Sequence, residues 1–166
     1  MDYFQPNGAI KIKMISETNS FDEVSNIFYN RISDQVTSSI LSDLTVVTVK
    51  SVTWAWPENE RESKANFPII MIMNEDADDG NEEVQYKYEQ ITNRISIYVA
   101  ATKTETMTKL LGKIYNAIKT YKSEFREEGV TNIKLLDKDN ESDEMGGLRI
   151  RKGYLTFEVT WRRNRF

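Results

Sequence analysis

The sequence predicts an α+β fold, in which a mostly antiparallel β-sheet is backed by two main helices. Two segments, residues 20–41 and 104–125, carry apolar residues at helical spacing. Residues 67–102 read as a long β-hairpin with an acidic tip, and a second hairpin closes the chain. With 166 residues, of which 39% are hydrophobic, the chain is long enough for one well-packed domain. We therefore divide it into an N-terminal arm, residues 1–19, and a single α/β sandwich domain, residues 20–166.

The N-terminal arm contains a predicted turn and a predicted short strand. Pro6, Asn7 and Gly8 favour the turn, and residues 9–15 alternate apolar side chains with lysines. We expect the arm to form either an edge strand or an extension onto a neighbouring subunit.

The first predicted helix covers residues 20–41. Ser20, followed three residues later by Glu23, is typical of a capping box. The apolar residues fall at helical spacing and predict one buried face opposite a solvated one. They are Phe21, Val24, Ile27, Phe28, Ile32, Val36 and Ile40.

A β-branched and aromatic segment, residues 45–56, predicts the next strand. The alternation of its apolar side chains changes parity part-way along, which indicates a bulge or bend near Lys50 and Ser51. We interpret Trp54 and Trp56 as core or interface residues rather than as a cage for a ligand.

The long hairpin has two unequal arms. Residues 67–73 are apolar on both faces of a strand, and a neighbouring subunit is a candidate to cover one of those faces. Residues 74–83 form an acidic loop, and residues 91–99 return with alternating apolar and polar side chains. Tyr86 and Tyr88 have the other parity, so we place them beyond the regular sheet or on its opposite face, as interface or core aromatics. The acidic residues available to a partner are Glu75, Asp76, Asp78, Asp79, Glu82 and Glu83.

The second predicted helix follows a capping box formed by Thr102 and Glu105, and Gly129 ends it. Its apolar residues form one face, which we expect to cover one face of the sheet. They are Met107, Leu110, Leu111, Ile114, Ile118, Tyr121 and Phe125.

The remaining C-terminal segment predicts a short strand, a polar loop and the closing hairpin. Residues 130–136 form the strand and residues 137–147 the loop. Residues 148–150 then pair with residues 154–161 across a tight connection at residues 151–153.

The composition narrows the possible chemistry. The chain has neither histidine nor cysteine, which removes the commonest general base, the thiolate nucleophile, disulfides and nearly all structural zinc sites. Gly146 and Gly147 are a lone pair and not a phosphate-binding loop. We therefore expect no enzymatic activity and no cofactor. The net charge of −4 gives the chain as a whole no electrostatic reason to bind nucleic acid.

Targeting and membrane segments are not expected either. The N-terminus lacks the basic and then apolar pattern of a signal peptide, and no run approaches the roughly 18 apolar residues of a membrane span. We expect the protein to be made in a cytoplasm, with no membrane partner.

Two acidic clusters make calcium binding an alternative. Residues 75–80 end in a turn glycine, but Ala77 lies where an EF-hand loop needs an oxygen ligand. Residues 137–143 carry acids at alternate positions, but Ser142 replaces the glycine and Leu148 lies where a bidentate glutamate belongs. We therefore expect no metal ion and interpret both clusters as solvated.

Basic residues interleaved with aromatic ones concentrate near the C-terminus. Three interpretations are open: contact with a partner or another subunit, solvation at strand ends, and binding of phosphates in nucleic acid. We favour the first. The partner-facing basic residues are Arg149, Arg151, Arg162, Arg163 and Arg165.

Four segments together resemble the tail terminator and tail completion proteins of tailed bacteriophages. They are the Phe-Pro strand at residues 66–70, the alternating strand at residues 93–99, the helix at residues 104–122 and the Thr-Trp strand at residues 155–161. With the elements between them, the resemblance extends over residues 20–163.

The resemblance implies a fold, an assembly and a set of partners. It implies an α/β sandwich that assembles with itself into a ring, a hexamer in the family, which caps the tail tube and joins it to the neck or head. The acidic hairpin would meet the tube or line the lumen, where like charge lets DNA pass transiently without sticking. The expected partners are the tail tube protein and a neck or head-completion protein, and the expected location is the virion.

Three other functions are kept as alternatives. A head-completion or neck connector protein belongs to the same assembly. A cellular ligand-binding α/β sandwich would need a pocket of convergent polar groups, which the sequence does not indicate. A nucleic-acid binder would use the basic C-terminus.

Overall fold

The computed structural model of the chain describes residues 2–3, 12–13, 20–36, 38–40, 46–49, 51–53, 67–79, 88–145 and 148–164. Within these ranges the chain forms three helices and nine strands. The helices are α1 (Ser20–Val36), α2 (Thr104–Thr120) and α3 (Lys122–Glu127). The strands are β1 (Asp2–Tyr3), β2 (Ile12–Lys13), β3 (Ser38–Ile40), β4 (Val46–Thr48), β5 (Ser51–Thr53), β6 (Ile69–Asp79), β7 (Tyr88–Ala101), β8 (Val130–Met145) and β9 (Leu148–Asn164).

Five of these strands form the main sheet, in the order β5-β6-β7-β9-β8. Strand β5 runs parallel to β6, and the other neighbouring pairs are antiparallel. Two small antiparallel pairs, β1 with β2 and β3 with β4, complete the described strands. The chain therefore has the predicted α+β architecture.

The three helices lie on one face of this sheet. Helix α2 packs on β7 and β9, α3 packs on β8, and α1 packs on α2 and β6. Alternate residues of β7 and β9 point toward the helices, and the core between the layers includes Phe28 of α1 and Ile114 of α2. Fully burying an aliphatic or aromatic side chain contributes about 1.5–3 kcal/mol, so this layer is the main source of stability.

A buried polar side chain, Asn93, lies within this core. The indole Nε1 of Trp161 donates a hydrogen bond to Asn93 Oδ1 at 2.9 Å, and Asn93 Nδ2 donates to Asn74 Oδ1 at 3.3 Å. Both Asn93 and Trp161 are fully buried. The amide therefore links β6, β7 and β9 and satisfies the indole N–H, which would otherwise be buried without a partner.

The face of the sheet opposite the helices carries a second, smaller apolar cluster. Phe67, Ile69 and Met71 pack there with Ala100 of β7 and Ile150 of β9. These five side chains are at most 9% exposed. Residues 67–71 are therefore covered on both faces within the chain, because Ala100 and Ile150 return from distant positions to build the second cluster, whereas Met73 is 39% exposed.

Helix α1 is shorter than its apolar pattern predicts. It ends at Val36 instead of residue 41, and Ser38–Ile40 forms β3 against β4. Residues 37–39 are Thr-Ser-Ser, and short hydroxyl side chains disfavour a helix interior because they compete for backbone hydrogen bonds. The predicted capping box at Ser20 and Glu23 lies outside the described side chains.

The predicted strand at residues 45–56 is two strands. Val46–Thr48 pairs with β3, whereas Ser51–Thr53 joins the main sheet beside β6. Strand β4 ends at Thr48 and β5 begins at Ser51, so the strand is interrupted where the bend was predicted; Lys50 itself lies outside the described residues. Trp54 and Trp56 lie outside the described residues.

The acidic segment after Met73 continues the strand. Strand β6 extends to Asp79 and stays paired with β7, with a bulge between Asn74 and Asp76. Residues 74–79 of the predicted loop are therefore strand, and residues 80–83 lie outside the described residues. The bulge absorbs one residue, and Arg94 of β7 lies opposite Asp76, which offsets the low strand propensity of aspartate.

The second predicted helix is divided in two and begins later than predicted. Helix α2 has Lys103 at its N-cap without a side-chain cap hydrogen bond, so the predicted capping box at Thr102 and Glu105 is wrong. Tyr121 separates α2 from α3, and its backbone N–H bonds to Ala117. Gly129 follows α3 with a φ of 103°, which confirms the predicted stop because only glycine adopts this backbone readily.

The closing hairpin is much longer than predicted. Residues 137–145 belong to β8, which pairs with β9 up to Met145 opposite Leu148, and residues 151–153 lie inside β9. The predicted loop at residues 137–147 and the tight connection at residues 151–153 are therefore wrong. Gly153 is a strand residue on which α2 rests: a Cβ there would collide with the side chains of Met107 and Leu111.

Candidate functional site

The candidate site is the face of the main sheet that points away from the helices, here called the open face. By register it contains the even-numbered residues of β7 and β9, alternate residues of β6, and Asp137, Asp139 and Glu141 of β8. The apolar cluster around Ile69 occupies one end of it. The rest is mostly polar: Ser96 and Thr160 are buried, whereas Arg94 and the three carboxylates of β8 are exposed, and Met73 is 39% exposed.

Two tyrosines stand next to each other in the middle of the open face. Tyr98 of β7 and Tyr154 of β9 are paired in register, and their ring centroids are 5.5 Å apart with a tilt of 41°. Each hydroxyl reaches a carboxylate on the neighbouring strand: Tyr98 donates to Glu75 Oε1 at 3.1 Å, and Tyr154 donates to Asp137 Oδ2 at 3.3 Å. The tyrosine pair thus links four strands.

The surroundings of both tyrosines raise their pKa. Loss of solvation and then the Glu75 carboxylate raise the pKa of Tyr98 above its ordinary 10.0. Loss of solvation and the carboxylates of Asp137 and Asp139 raise the pKa of Tyr154. The phenols are therefore hydrogen-bond donors at neutral pH, and a negative potential surrounds them.

Hydroxyl side chains form further cross-strand contacts between β7 and β9. The hydroxyls of Ser96 and Thr156 lie 2.8 Å apart, and those of Thr92 and Thr160 lie 3.4 Å apart. Such pairs stabilise adjacent strands and fix their register. The centre of the open face is therefore a preformed and rigid surface.

Charged residues on the open face alternate in sign across the strands. Asp76 of β6, Arg94 of β7, Glu158 of β9 and Lys134 of β8 occupy one row. Opposite charges on neighbouring strands stabilise a sheet, each pair by roughly 0.2–1 kcal/mol. Asp76, one of the acidic residues predicted to be available to a partner, is thus also in position to fix strand register.

The predicted acidic residues lie on β6 and beyond it. Glu75 is exposed and accepts the hydrogen bond from Tyr98. Asp76, Asp78 and Asp79 occupy the last positions of β6, opposite residues 91–94 of β7. Glu82 and Glu83 lie outside the described residues.

The predicted basic residues do not form one patch. Arg149 and Arg151 pair with Glu144 and Ser142 near the β8–β9 turn, whereas Arg162 lies at the other end of β9, roughly 40 Å away at ~3.3 Å per strand residue. A continuous basic surface for nucleic acid is therefore absent from the described part of β9. Arg165 lies outside the described residues.

The end of the sheet that carries the acidic end of β6 also carries two of the C-terminal arginines. Arg162 and Arg163 pair with Gln90 and Glu89 of β7, next to the end of β6 at Asp79. One strand, about 5 Å from each neighbour, separates β9 from β6. The acidic hairpin and the C-terminal arginines, which are far apart in sequence, thus lie at the same end of the molecule.

Of the two predicted hairpin tyrosines, Tyr88 begins β7 opposite Asn164, at a position that the register assigns to the open face, and Tyr86 lies outside the described residues. The tyrosine pair in the middle of the site, Tyr98 and Tyr154, was singled out by neither parity nor motif. In the sequence, each tyrosine lies two residues from a hydroxyl residue on the same side of its strand, Ser96 or Thr156. This alternation locates the site only once the pairing of β7 with β9 is known.

The calcium alternative finds no support in the described strands. Both acidic clusters are extended strands, and residues two apart on β8 are separated by about 6.6 Å along the strand instead of wrapping around an ion. Among the described residues no group of three or more carboxylates is placed to hold a metal ion. None of the helices in the described ranges is both long enough and apolar enough to cross a membrane.

Comparisons with known proteins give no family for this chain. No model of a known protein family matches the sequence. A search of curated proteins also gives no match.

Proposed function

We propose that this protein is a structural, non-enzymatic component of a phage virion, a tail terminator whose copies form a ring on the tail tube. The proposal is supported by the agreement between the fold that the resemblance implies and the architecture of the chain. In the described part of the chain, helices cover one face of a mostly antiparallel sheet. In the long hairpin that is expected to meet the tube or line the lumen, strand β6 extends to the acidic Asp79.

The observation that carries the proposal is the rigid, charged open face. Its tyrosines and hydroxyls are held by cross-strand contacts, and its carboxylates include the exposed Asp139 and Glu141. A preformed polar surface of this kind suits contact with another protein, because little side-chain freedom is lost on binding. In the proposed ring, this face and the hairpin are available to other copies, to the tail tube protein and to a neck or head-completion protein.

The lumen of the proposed ring would be lined by acidic residues. The β6–β7 hairpin concentrates them at one end of the sheet, from Glu75 to Asp79. Like charge keeps DNA from adhering during its passage. DNA is thus a transient contact and not a ligand.

A tube-capping experiment tests the proposal. Tail tube protein from the same phage genome is polymerised with and without the purified chain, and the products are imaged by electron microscopy. We expect ring-shaped density at one end of each tube and a block to further elongation. Tubes that keep growing with free ends, in the presence of folded protein, would count against a terminator.

Localisation in virions separates the terminator from the alternative in the same assembly. Gold-labelled chain should appear where the tube meets the neck and should crosslink to the tube protein. Crosslinks to neck proteins alone would instead identify a head-completion or connector protein.

A further inference from the structure

The outward surface of α2 is basic, in contrast to the open face. From residue 103 to residue 122 the one acidic residue is Glu105, which pairs with a lysine one turn later. Tyr115 of α2 is 38% exposed. We call this surface the α2 surface; its basic residues are Lys109, Lys113 and Lys119 of α2, with Lys103 and Lys122 just beyond the two ends of the helix.

The open face is acidic by comparison. By register it carries twice as many acidic as basic positions, and three of the acids, Asp137, Asp139 and Glu141, are exposed on β8. Next to them lies Tyr154 of the tyrosine pair, and the exposed Met73 lies across the face on β6. Of the three large hydrophobic residues that are exposed in the described structure, one lies on each surface: Tyr115 on the α2 surface and Met73 on the open face.

The two surfaces lie on opposite sides of the same chain. Helix α2 packs on β7 and β9 from the helix side, and the open face is the other side of those strands. One copy therefore cannot bring its own α2 surface to its own open face. A second copy can.

The dimensions of the two surfaces are compatible. Helix α2 has 17 residues and is therefore about 25 Å long and ~10–12 Å wide. The four strands from β6 to β8 span roughly 15 Å across the open face. The width of the helix is therefore smaller than the width of the open face.

We propose that copies of this chain associate head to tail, with the α2 surface of one copy on the open face of the next. Lysines of the α2 surface, such as Lys113 and Lys119, meet carboxylates of the open face, such as Asp139 and Glu141. Contacts between two α2 surfaces, or between two open faces, would place like charges together and are disfavoured. Head-to-tail contacts between two different surfaces build a ring where the rotation from one copy to the next closes, and an open filament where it does not. The inference rests on the proposed function only in identifying that ring with a tail terminator.

Charge reversal tests this contact. One variant carries Lys113→Glu and Lys119→Glu, and the other carries Asp139→Lys and Glu141→Lys. Sedimentation velocity over a range of concentrations should show self-association of the native chain and an affinity at least about tenfold weaker for each variant alone. An equimolar mixture of the two variants should restore association, because the reversed surfaces complement each other. High salt should weaken association of the native chain, because the Debye screening length falls to about 3 Å at 1 M salt.

A matched control carries two charge reversals outside both surfaces. Arg126→Glu on α3 and Lys138→Glu on the helix-facing side of β8 change two exposed residues. This variant should associate like the native chain. Circular dichroism spectra must show that all variants are folded. A mixture that stays dissociated, a control that weakens association equally, or a native chain that is monomeric at every attainable concentration would overturn the inference.

The outcome also separates this inference from the proposed function. Native association that none of the reversals weakens would leave a ring possible and exclude this interface. Head-to-tail association of a chain that never binds tube ends would keep the interface and reject the tail terminator.

Discussion

At the scale of single residues, the buried amide of Asn93 holds the centre of the sheet together. It accepts the indole hydrogen bond of Trp161 and donates to Asn74. We expect Asn93→Ala to lower the free energy of unfolding by about 1–3 kcal/mol, because the indole N–H loses its partner. Urea denaturation measures this. Asn116→Ala, on the exposed surface of α2, should change stability by less than about 0.5 kcal/mol; an equal loss in both variants would contradict the assignment.

The close approach of α2 to β9 depends on Gly153. A side chain there would collide with Met107 and Leu111, whereas a Cβ at Gly112 would have nothing within 4 Å. We expect Gly153→Val to lower the free energy of unfolding by about 1–3 kcal/mol through overpacking. Gly112→Ala is the matched control and should raise stability by about 0.5–1 kcal/mol, since alanine favours a helix over glycine. Thermal and urea unfolding of both variants decide the point, and a neutral Gly153→Val would show that α2 does not rest there.

The tyrosine pair predicts a pH dependence of stability at alkaline pH. The pKa values of Tyr98 and Tyr154 lie above the ordinary 10.0 in the folded chain. The protonated phenols therefore contribute their full stabilisation below pH 10.0, and that contribution is lost as the pH rises through the folded pKa. We expect the urea midpoint of the native chain to fall above pH 10.0.

Replacing the hydroxyls separates this effect from general alkaline unfolding. In the double variant Tyr98→Phe and Tyr154→Phe, the fall should become shallower because two titrating groups are removed. Thr156→Val removes a hydroxyl that does not titrate from the same face and should keep the native slope. Identical slopes in all three proteins would exclude the tyrosines as the cause.

At the scale of elements, ion pairs of Arg31 join α1 to α3 and to the residue that follows α3. Its guanidinium contacts Glu124 at 2.8 Å and Glu128 at 2.7 Å, and it lies 5.9 Å from the centroid of Tyr121. About a third of each charged side chain is exposed, so solvent screens these pairs. We expect Arg31→Ala to lower the free energy of unfolding by about 1 kcal/mol, and less at high salt.

A lysine replacement distinguishes geometry from charge at this position. Arg31→Lys keeps the charge but cannot reach two carboxylates with two nitrogens, so it should recover only part of the loss. Lys109→Ala breaks a pair within one helix, with Glu105, and should lose only about 0.3–0.5 kcal/mol. Full recovery by Arg31→Lys would show that charge alone matters there.

Local periodicity explains which elements the sequence predicts correctly. The buried side of α2, with Leu110 and Ile114, and the alternation of β7 around Ile95 carry strong signals in consecutive residues. Both elements were predicted. Strand β8 was predicted only to residue 136, since the acids and polar residues that follow have low strand propensity.

Pairing explains what the sequence alone misses. Asp137 and Glu141 are held in a strand because β9 places Thr156 and Lys152 opposite them. In the same way, the tyrosine site exists only once residue 98 is known to lie opposite residue 154. Long-range register of this kind leaves no mark in a local window, so the candidate site could not be predicted from single segments.

At the scale of the whole molecule, the apolar clusters show where the stability of the chain is built. In the described structure, the helix-side core and the cluster on the opposite face both consist of residues from Val24 onward. Strands β1 and β2 pair with each other and not with the main sheet. The division into an arm and a domain is a prediction that this arrangement makes testable.

Removing residues 1–19 should therefore leave a folded domain. We expect a chain of residues 20–166 to unfold in one cooperative urea transition, with a free energy of unfolding within about 1 kcal/mol of the full chain, because an arm outside both cores contributes little. Circular dichroism and tryptophan fluorescence should give the same midpoint. Deleting instead residues 148–164, which form β9, should abolish folding, because β9 supplies Phe157 and Trp161 to the core and joins β7 to β8. A shortened chain that unfolds without cooperativity would show that the arm belongs to the domain.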